Sequence, residues 1–212
     1  DRQGSLVEVR AEALPARAEP VGPGADSPGK DAELRPVAGS AVPPGCICKT
    51  AAISEVDFGH NVTVVQPVNL YGCRIGDDSF VGPFVEIQRG AVIGRRCRVQ
   101  SHSFICDMVT IGDDCFISHG AMFINDPFES GGPAGGRREH WRATFIGNRV
   151  SVGTNATILP VRICDNVVIG AGAVVTRDIL VTGIYAGNPA RRIRSLKVEE
   201  SAGGEPDDRS VR

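Results

Sequence analysis

A bulky apolar residue returns at every sixth position nine times running: Ile75, Val81, Ile87, Ile93, Val99, Ile105, Ile111, Ile117 and Phe123. Four residues after each of the first eight stands a smaller side chain, in order Ser79, Val85, Ala91, Cys97, Ser103, Val109, Cys115 and Ala121. Each smaller residue lies two before the next bulky one, so in an extended chain the two point to the same side. One bulky and one small inward residue per six fills a narrow interior. The period is foreign to a helix at 3.6 residues per turn, and a sandwich of ordinary strands does not keep phase over nine units. It fits a coil of short strands, stacked so that each rung hydrogen-bonds to the next about 4.8 Å away. Repeats of this kind read as a parallel β-solenoid. Gly76, Gly82, Gly94 and Gly112 directly follow bulky positions, where the chain must bend without a Cβ in the way.

The phase also shows where the coil is interrupted. The repeat starts near Cys46, with Phe58, Val64 and Leu70 already six apart, and a five-residue step to Ile75 resets it. After Phe123 it stops, and residues 125–144 (NDPFESGGPAGGRREHWRAT) are rich in Gly and charge and carry the only Trp. A long polar insertion between two repeat blocks must leave the solenoid as an external loop, the natural wall for a binding site. Repeats resume at Ile146, Val152 and Ile158, shift by one residue around Leu159, Pro160 and Val161, and continue at Ile163, Ile169, Val175 and Val181. Residues 184–196 are expected to close the barrel as a strand and a short helix. Residues 1–45 hold half of the fourteen prolines and few large apolar residues. Such a segment buries too little surface to offset its ordering entropy, and reads as a disordered arm. Residues 46–196 then form the β-helix domain, and 197–212 a polar, disordered tail.

The chain has 212 residues with net charge −2, so it carries no basic footprint for nucleic acid or an anionic membrane. No apolar run approaches the roughly 18 residues of a membrane span, and the N-terminus lacks the apolar core of a signal peptide. The seven cysteines include no CxxC pair. Cys97 and Cys115 stand three hexads apart, both at small inward positions of the repeat, where a thiol packs as a small hydrophobe. Cys46 and Cys48 have poor metal spacing and no neighbouring His, so no metal is expected. Reduced, cytoplasmic chemistry is the default.

The repeat resembles that of the hexapeptide-repeat acyltransferases, over about residues 47–194. The resemblance implies a left-handed parallel β-helix with three hexads per coil. The left hand comes from the family alone, because parallel crossovers are in general right-handed. It also implies a homotrimer with three sites at the subunit interfaces and acetyl-CoA as co-substrate. The stretch IGAGAVVTR at 169–177 resembles the family's late-coil signature, and GNPAR at 187–191 its terminal one. Small residues at 170–173 let a slender pantetheine arm lie close to backbone amides. Arg177, Arg191 and Arg194 are then expected to meet phosphates. With Thr154, which faces the cofactor by matching position, Ala171 and Thr176 complete the expected cofactor-binding set. Taken singly, these glycines and alanines are ordinary turn residues and the arginines solvated surface; the combination points to the cofactor.

Where the repeat leaves the coil the chain reads FINDP at 123–127. Many acetyltransferases of this superfamily place a catalytic His just before that Pro; here the position is Asp126, preceded by Asn125. With SHSFIC at 101–106 and SHGAMF at 118–123, this version resembles the sugar-nucleotide N-acetyltransferases that acetylate a 3-amino group. Asn125, Asp126 and His119 are the expected catalytic residues, with His102 on the substrate. His102 and His119 are 17 apart, one short of a coil, so they flank one corner on adjacent rungs and point outward. A neutral imidazole there accepts a proton at physiological pH, although outward histidines on a solenoid are also common surface residues. His60 and His140 have no such setting.

The function implied is transfer of acetyl from acetyl-CoA to the 3-amino group of a UDP- or dTDP-linked sugar. The amine attacks the thioester directly, and backbone amides at a coil corner steady the oxyanion. O-acetylation of a sugar or antibiotic is the nearest alternative, but a hydroxyl depends more on a strong base, and the missing His before Pro127 leans toward an amine. A noncatalytic scaffold would not need the Gly-Ala-Gly and Asn-Pro-Ala-Arg signatures. Zinc carbonic anhydrases of the same fold use a closer His pair than the separations of 17 and 21 among His102, His119 and His140. The pathway stays open between cell-envelope polysaccharide biosynthesis and glycosylated natural products.

Overall fold

The computed structural model describes residues 52–196. The arm expected at 1–45, the start of the repeat at Cys46 and Cys48, and the tail expected at 197–212 lie outside the described residues.

Among the described residues, twenty-one strands of two to four residues wind through three sheets. Face A holds Phe104–Ile105, Met122–Phe123, Thr157–Ile158 and Val174–Val175; face B holds Val92–Ile93, Val109–Ile111, Thr144–Ile146 and Arg162–Ile163; face C holds Arg98–Val99, Phe116–Ile117, Ser151–Val152 and Val167–Ile169. A two-residue strand has nothing to cohere with on its own, so each face exists only because successive coils stack in parallel. Along the uninterrupted repeat the register is one coil of 18: Ile87 faces Ile105, Ile93 faces Ile111 and Val99 faces Ile117. Each five-residue step shortens its coil to 17, so that Phe58 faces Ile75 and Ile146 faces Ile163.

None of the nine bulky positions from Ile75 to Phe123 is more than 1% exposed, and the eight smaller ones are buried with them. Full burial of one such aliphatic side chain stabilises by about 1.5–3 kcal/mol. The small polar side chains in this interior bond to carbonyls of the next coil. Ser79 Oγ donates to Gly94 O at 3.0 Å and Ser103 Oγ to Ser118 O at 2.9 Å. Cys97 Sγ reaches Gly112 O and Cys115 Sγ reaches Gly147 O, both at 3.1 Å. The expected inward stacking of the two thiols is what the structure shows.

The bend falls elsewhere than at the glycines after the bulky positions. Left-handed backbone occurs two residues further on, at Asp78, Arg96, His102, Asp114 and Asn155, with φ between 54° and 63°. Gly76 and Gly94 answer a different need, the approach of neighbouring coils. A Cβ on Gly94 would sit 2.5 Å from the Gly112 carbonyl, and one on Gly76 2.8 Å from that of Gly94.

Two expectations fail at the closing end. Val181 is 54% exposed, and Ile179, 4% exposed and bridged to Ile163, takes the inward place instead. Residues 184–196 form no helix: Gly183–Ala186 pairs in parallel with face C, and Arg191–Arg194 folds back antiparallel onto it. A reversed strand with exposed arginines blunts an edge that would otherwise template another coil. No helix among the described residues is long and apolar enough to cross a membrane.

Candidate active site

Once per coil the chain turns from face C into face A, and these turns stack in a column. Backbone bonds tie each turn to the one before: Phe84 N–H to Pro67 O at 2.6 Å, His102 to Pro83 at 3.2 Å, Gly120 to Ser101 at 3.0 Å, Asn155 to His119 at 2.9 Å and Gly172 to Thr154 at 2.8 Å. Four of the residues expected from the sequence therefore lie on four successive coils of one corner, in the order His102, His119, Thr154, Ala171. All four are exposed. Successive coils are about 4.8 Å apart, so the column from His102 to Ala171 runs about 14 Å.

Each side chain in the column is held by the coil next to it. The His102 ring stacks on Phe84 with centroids 4.9 Å apart and planes inclined by 27°. His119 Nδ1 lies 2.8 Å from Ser101 Oγ, which orients the ring and leaves Nε2 for a ligand. Thr154 Oγ1 and Ser118 Oγ share a 2.8 Å hydrogen bond. Beside Ala171, a Cβ added to Gly172 would meet nothing within 4 Å, so the corner is open to an approaching chain.

Asn125 and Asp126 sit at the opposite edge of face A, where the external loop departs. The Asp126 carboxylate accepts N–H bonds from Ala134 at 2.7 Å and Phe128 at 3.0 Å, and these hold its pKa below the usual carboxylate range. Asn125 Nδ2 donates to Asp107 O at 3.2 Å, and its own carbonyl accepts from Arg142 N at 2.8 Å. Asp107, its side chain only 11% exposed, also pairs with loop residue Arg138 at 3.0 Å. Both residues thus fasten the loop to the solenoid. Asn125 comes six positions after His119, beyond the strand Met122–Phe123 and at most about 20 Å away, so within one chain the three expected catalytic residues are not brought together.

The expected cofactor set is divided too. Thr154 and Ala171 lie in the column. Thr176 lines an open groove of about 490 Å³ under the loop, with Pro127, Arg142, Phe145 and Arg162, and Arg177 stands exposed next to it. Arg191 and Arg194 are exposed on the closing strand. Sequence reasoning passed over Ser101, Phe84, Asp107 and Arg138. Two of them carried a usable signal: Ser101 precedes His119, and Phe84 precedes His102, by one coil of 18.

The five described cysteines are poor nucleophiles. Burial pushes the Cys106 thiol up to about 12 and Cys73 up to about 11. Cys115 is raised by its contact with Cys97 and by burial, and burial raises Cys164. Cys97 is drawn the other way by that contact but is fully enclosed, so no substrate carbonyl reaches it. A thiol attacks as its thiolate, which these sites disfavour or hide. Among the described residues no three His, Cys, Asp or Glu side chains gather as a metal site.

Two descriptions of the repeat match the chain: the bacterial transferase hexapeptide (six repeats) at residues 72–107, and the hexapeptide repeat of succinyl-transferase at residues 144–177. Together with the solenoid, these matches show that the chain carries hexapeptide repeats of the kind found in bacterial transferases. Among curated relatives, the bifunctional protein GlmU of Clostridium botulinum (strain Langeland) is 28% identical over 149 residues, 68% of this chain and 29% of that protein. GlmU of Lawsonia intracellularis is 31% identical over 109 residues, 51% of this chain and 21% of that protein. The chain therefore matches under a third of the length of either relative. Among solved structures, a variant of AntD, an N-acyltransferase from Bacillus cereus in complex with dTDP and coenzyme A, superimposes with a TM-score of 0.59 at 21% identity, covering 66% of this chain and 84% of that one, a likeness of fold. A galactoside acetyltransferase in complex with coenzyme A is 31% identical with a TM-score of 0.50, covering 58% of this chain and 64% of that one.

Proposed function

We propose that the chain is an acetyl-CoA-dependent N-acetyltransferase acting on the 3-amino group of a UDP- or dTDP-linked amino sugar by direct transfer. One observation carries the reading: His102, His119, Thr154 and Ala171 fall in line on four successive coils, with the imidazoles at one end and the small, open cofactor corner at the other. The pantetheine arm lies along Ala171 and Thr154 with its thioester toward His119. The sugar amine attacks the thioester carbonyl, the C–S bond breaks, and coenzyme A leaves as the thiol. His119, oriented through Nδ1 by Ser101 Oγ, takes the ammonium proton at Nε2 and passes it to the departing sulfur. The five described cysteines, protonated or enclosed, argue against an acetyl-enzyme formed on them.

Asn125 and Asp126 serve this reaction by holding the loop. In a homotrimer the loop of one copy walls the column of the next, and Thr176, Arg177, Arg191 and Arg194 supply polar and cationic contacts to the cofactor around that interface. Coenzyme A in the galactoside acetyltransferase complex and dTDP with coenzyme A in the AntD complex support the choice of ligands. The five described cysteines are all free, which fits a cytoplasmic setting. One observation favours a hydroxyl acceptor as the second reading, the 31% identity to a galactoside acetyltransferase.

Calorimetric titration with coenzyme A tests the cofactor assignment. Ala171→Trp fills the exposed corner without touching the core, and is expected to weaken coenzyme A at least about tenfold, the equivalent of roughly 1.4 kcal/mol. Unchanged affinity in that variant places the cofactor elsewhere and contradicts the reading.

A further inference from the structure

We infer that the first coils of the same column form a subsite for the pyrimidine base of the acceptor, a uracil or thymine ring stacked on Phe84. The inference rests on the reading of the acceptor as a nucleotide-linked sugar and says where its nucleotide lies.

The observation is an aromatic ring where the fold does not ask for one. At this position of each coil the backbone is left-handed, with φ 60° at Phe84 and 63° at His102, and the later coils meet the need with Gly120, Asn155 and Gly172. Glycine and asparagine adopt that conformation most readily, and a bulky aromatic there is an outlier. Phe84 buries little in exchange, being 57% exposed. One face of the ring is covered by His102 from the following coil. On the side of the preceding coil Phe84 borders a cleft of about 220 Å³, lined with Pro67, Val68, Asn69, Val85 and Glu86.

The walls of that cleft suit one kind of ring. Pro67 and Val68 are apolar and Phe84 is flat, so a planar base gains stacking area there. The half-buried Asn69 and Glu86 are the polar groups of the lining. A carboxylate only accepts hydrogen bonds, and an amide both donates and accepts. Uracil and thymine present an N–H at N3 between two carbonyls, so Glu86 accepts from N3 and the Asn69 amide donates to a ring carbonyl. Cytosine offers a bare N3 lone pair, which a carboxylate repels. Gln88 Nε2 donates to Glu86 Oε1 at 3.0 Å and helps to hold that carboxylate. Phe84 stands two coils from His119, about 10 Å along the column, a span that a ribosyl diphosphate bridges between base and sugar.

The test is titration of the full chain, saturated with coenzyme A, with UDP, dTDP, CDP and ADP. The parent is expected to bind UDP or dTDP more tightly than CDP or ADP. Phe84→Asn keeps a residue that tolerates left-handed backbone, as Asn155 does lower in the column, and is expected to weaken UDP and dTDP by about 5- to 100-fold, the range of base–aromatic stacking, with coenzyme A affinity unchanged. Glu86→Gln presents an amide donor to N3 and is expected to shift the preference toward CDP. Coenzyme A binding with UDP and dTDP insensitive to Phe84→Asn, or with no binding of either nucleotide, overturns the subsite and leaves acetyl transfer standing. Absence of coenzyme A binding in the parent overturns the function itself.

Discussion

In the proposed reaction the chemistry turns on His119, whose ring is fixed on one side by Ser101 and free on the other. Replacing it with Asn removes the proton acceptor and is expected to lower kcat by about 10²- to 10⁴-fold, with coenzyme A affinity unchanged. A variant that keeps kcat within a few-fold of the parent would remove His119 from the chemistry. Ser101→Ala loses only the orienting bond and is expected to act in the same direction but more weakly. Asp126 makes a prediction about pH. Its pKa is depressed in the folded chain, chiefly by the Ala134 N–H, so its hold on the loop is complete above the ordinary carboxylate value near 3.9 and is lost as pH falls through the lower folded value. Amide exchange at Phe128 and Ala134 is therefore expected to accelerate as pH drops below about 4, relative to the intrinsic rate at each pH. Protection that stays constant down to pH 2, or an Asp126→Asn variant as protected as the parent at neutral pH, would contradict the clasp.

At the scale of the coil, the solenoid stands on close approach between turns. Gly94→Ala places a Cβ 2.5 Å from a backbone carbonyl that has no flexible atom to give way. The cost is expected to be at least about 1–3 kcal/mol, as for overpacking, read as a lowered Tm in thermal unfolding. Gly132→Ala, in the loop with nothing within 4 Å, serves as the control and should leave Tm unchanged. A Tm for Gly94→Ala equal to the parent's would mean that the coils do not pack as described. The sequence revealed the coil because Ile75 through Phe123 repeat an inward requirement that only one geometry satisfies. It revealed the five-residue steps for the same reason, since Leu70 and Ile75 must both point inward. It misplaced the bend, because Gly94 answers a contact 18 residues away while the left-handed position is filled by residues as varied as Arg96 and His102. The closing hairpin was hidden because Arg191 and Arg192 carry no inward residue to keep phase.

For the whole molecule, the site was legible only as far as the coil length carries contacts. That arithmetic paired His102 with His119 and also contained Ser101 beneath His119, whereas Thr154 and Ala171 came through the family signature and joined the same column only in the structure. It did not reach the loop, where Asp107 meets Arg138 across 31 positions with no period to announce the pair. One chain leaves His119 and the Asn125–Asp126 loop at opposite edges of face A, and in the proposed homotrimer a second copy's loop walls the column. Light scattering is expected to give three times the mass of one chain, and a strictly monomeric enzyme with full activity would contradict the shared site.

The most direct test of the central claim is thiol release from acetyl-CoA by the purified chain, assayed against UDP- and dTDP-linked 3-amino sugars with the matching 3-hydroxy sugars alongside. Release with a 3-amino sugar and not with its hydroxyl counterpart is the result predicted. Release with hydroxyl acceptors alone, or none with any acceptor while coenzyme A still binds, would contradict N-acetyl transfer.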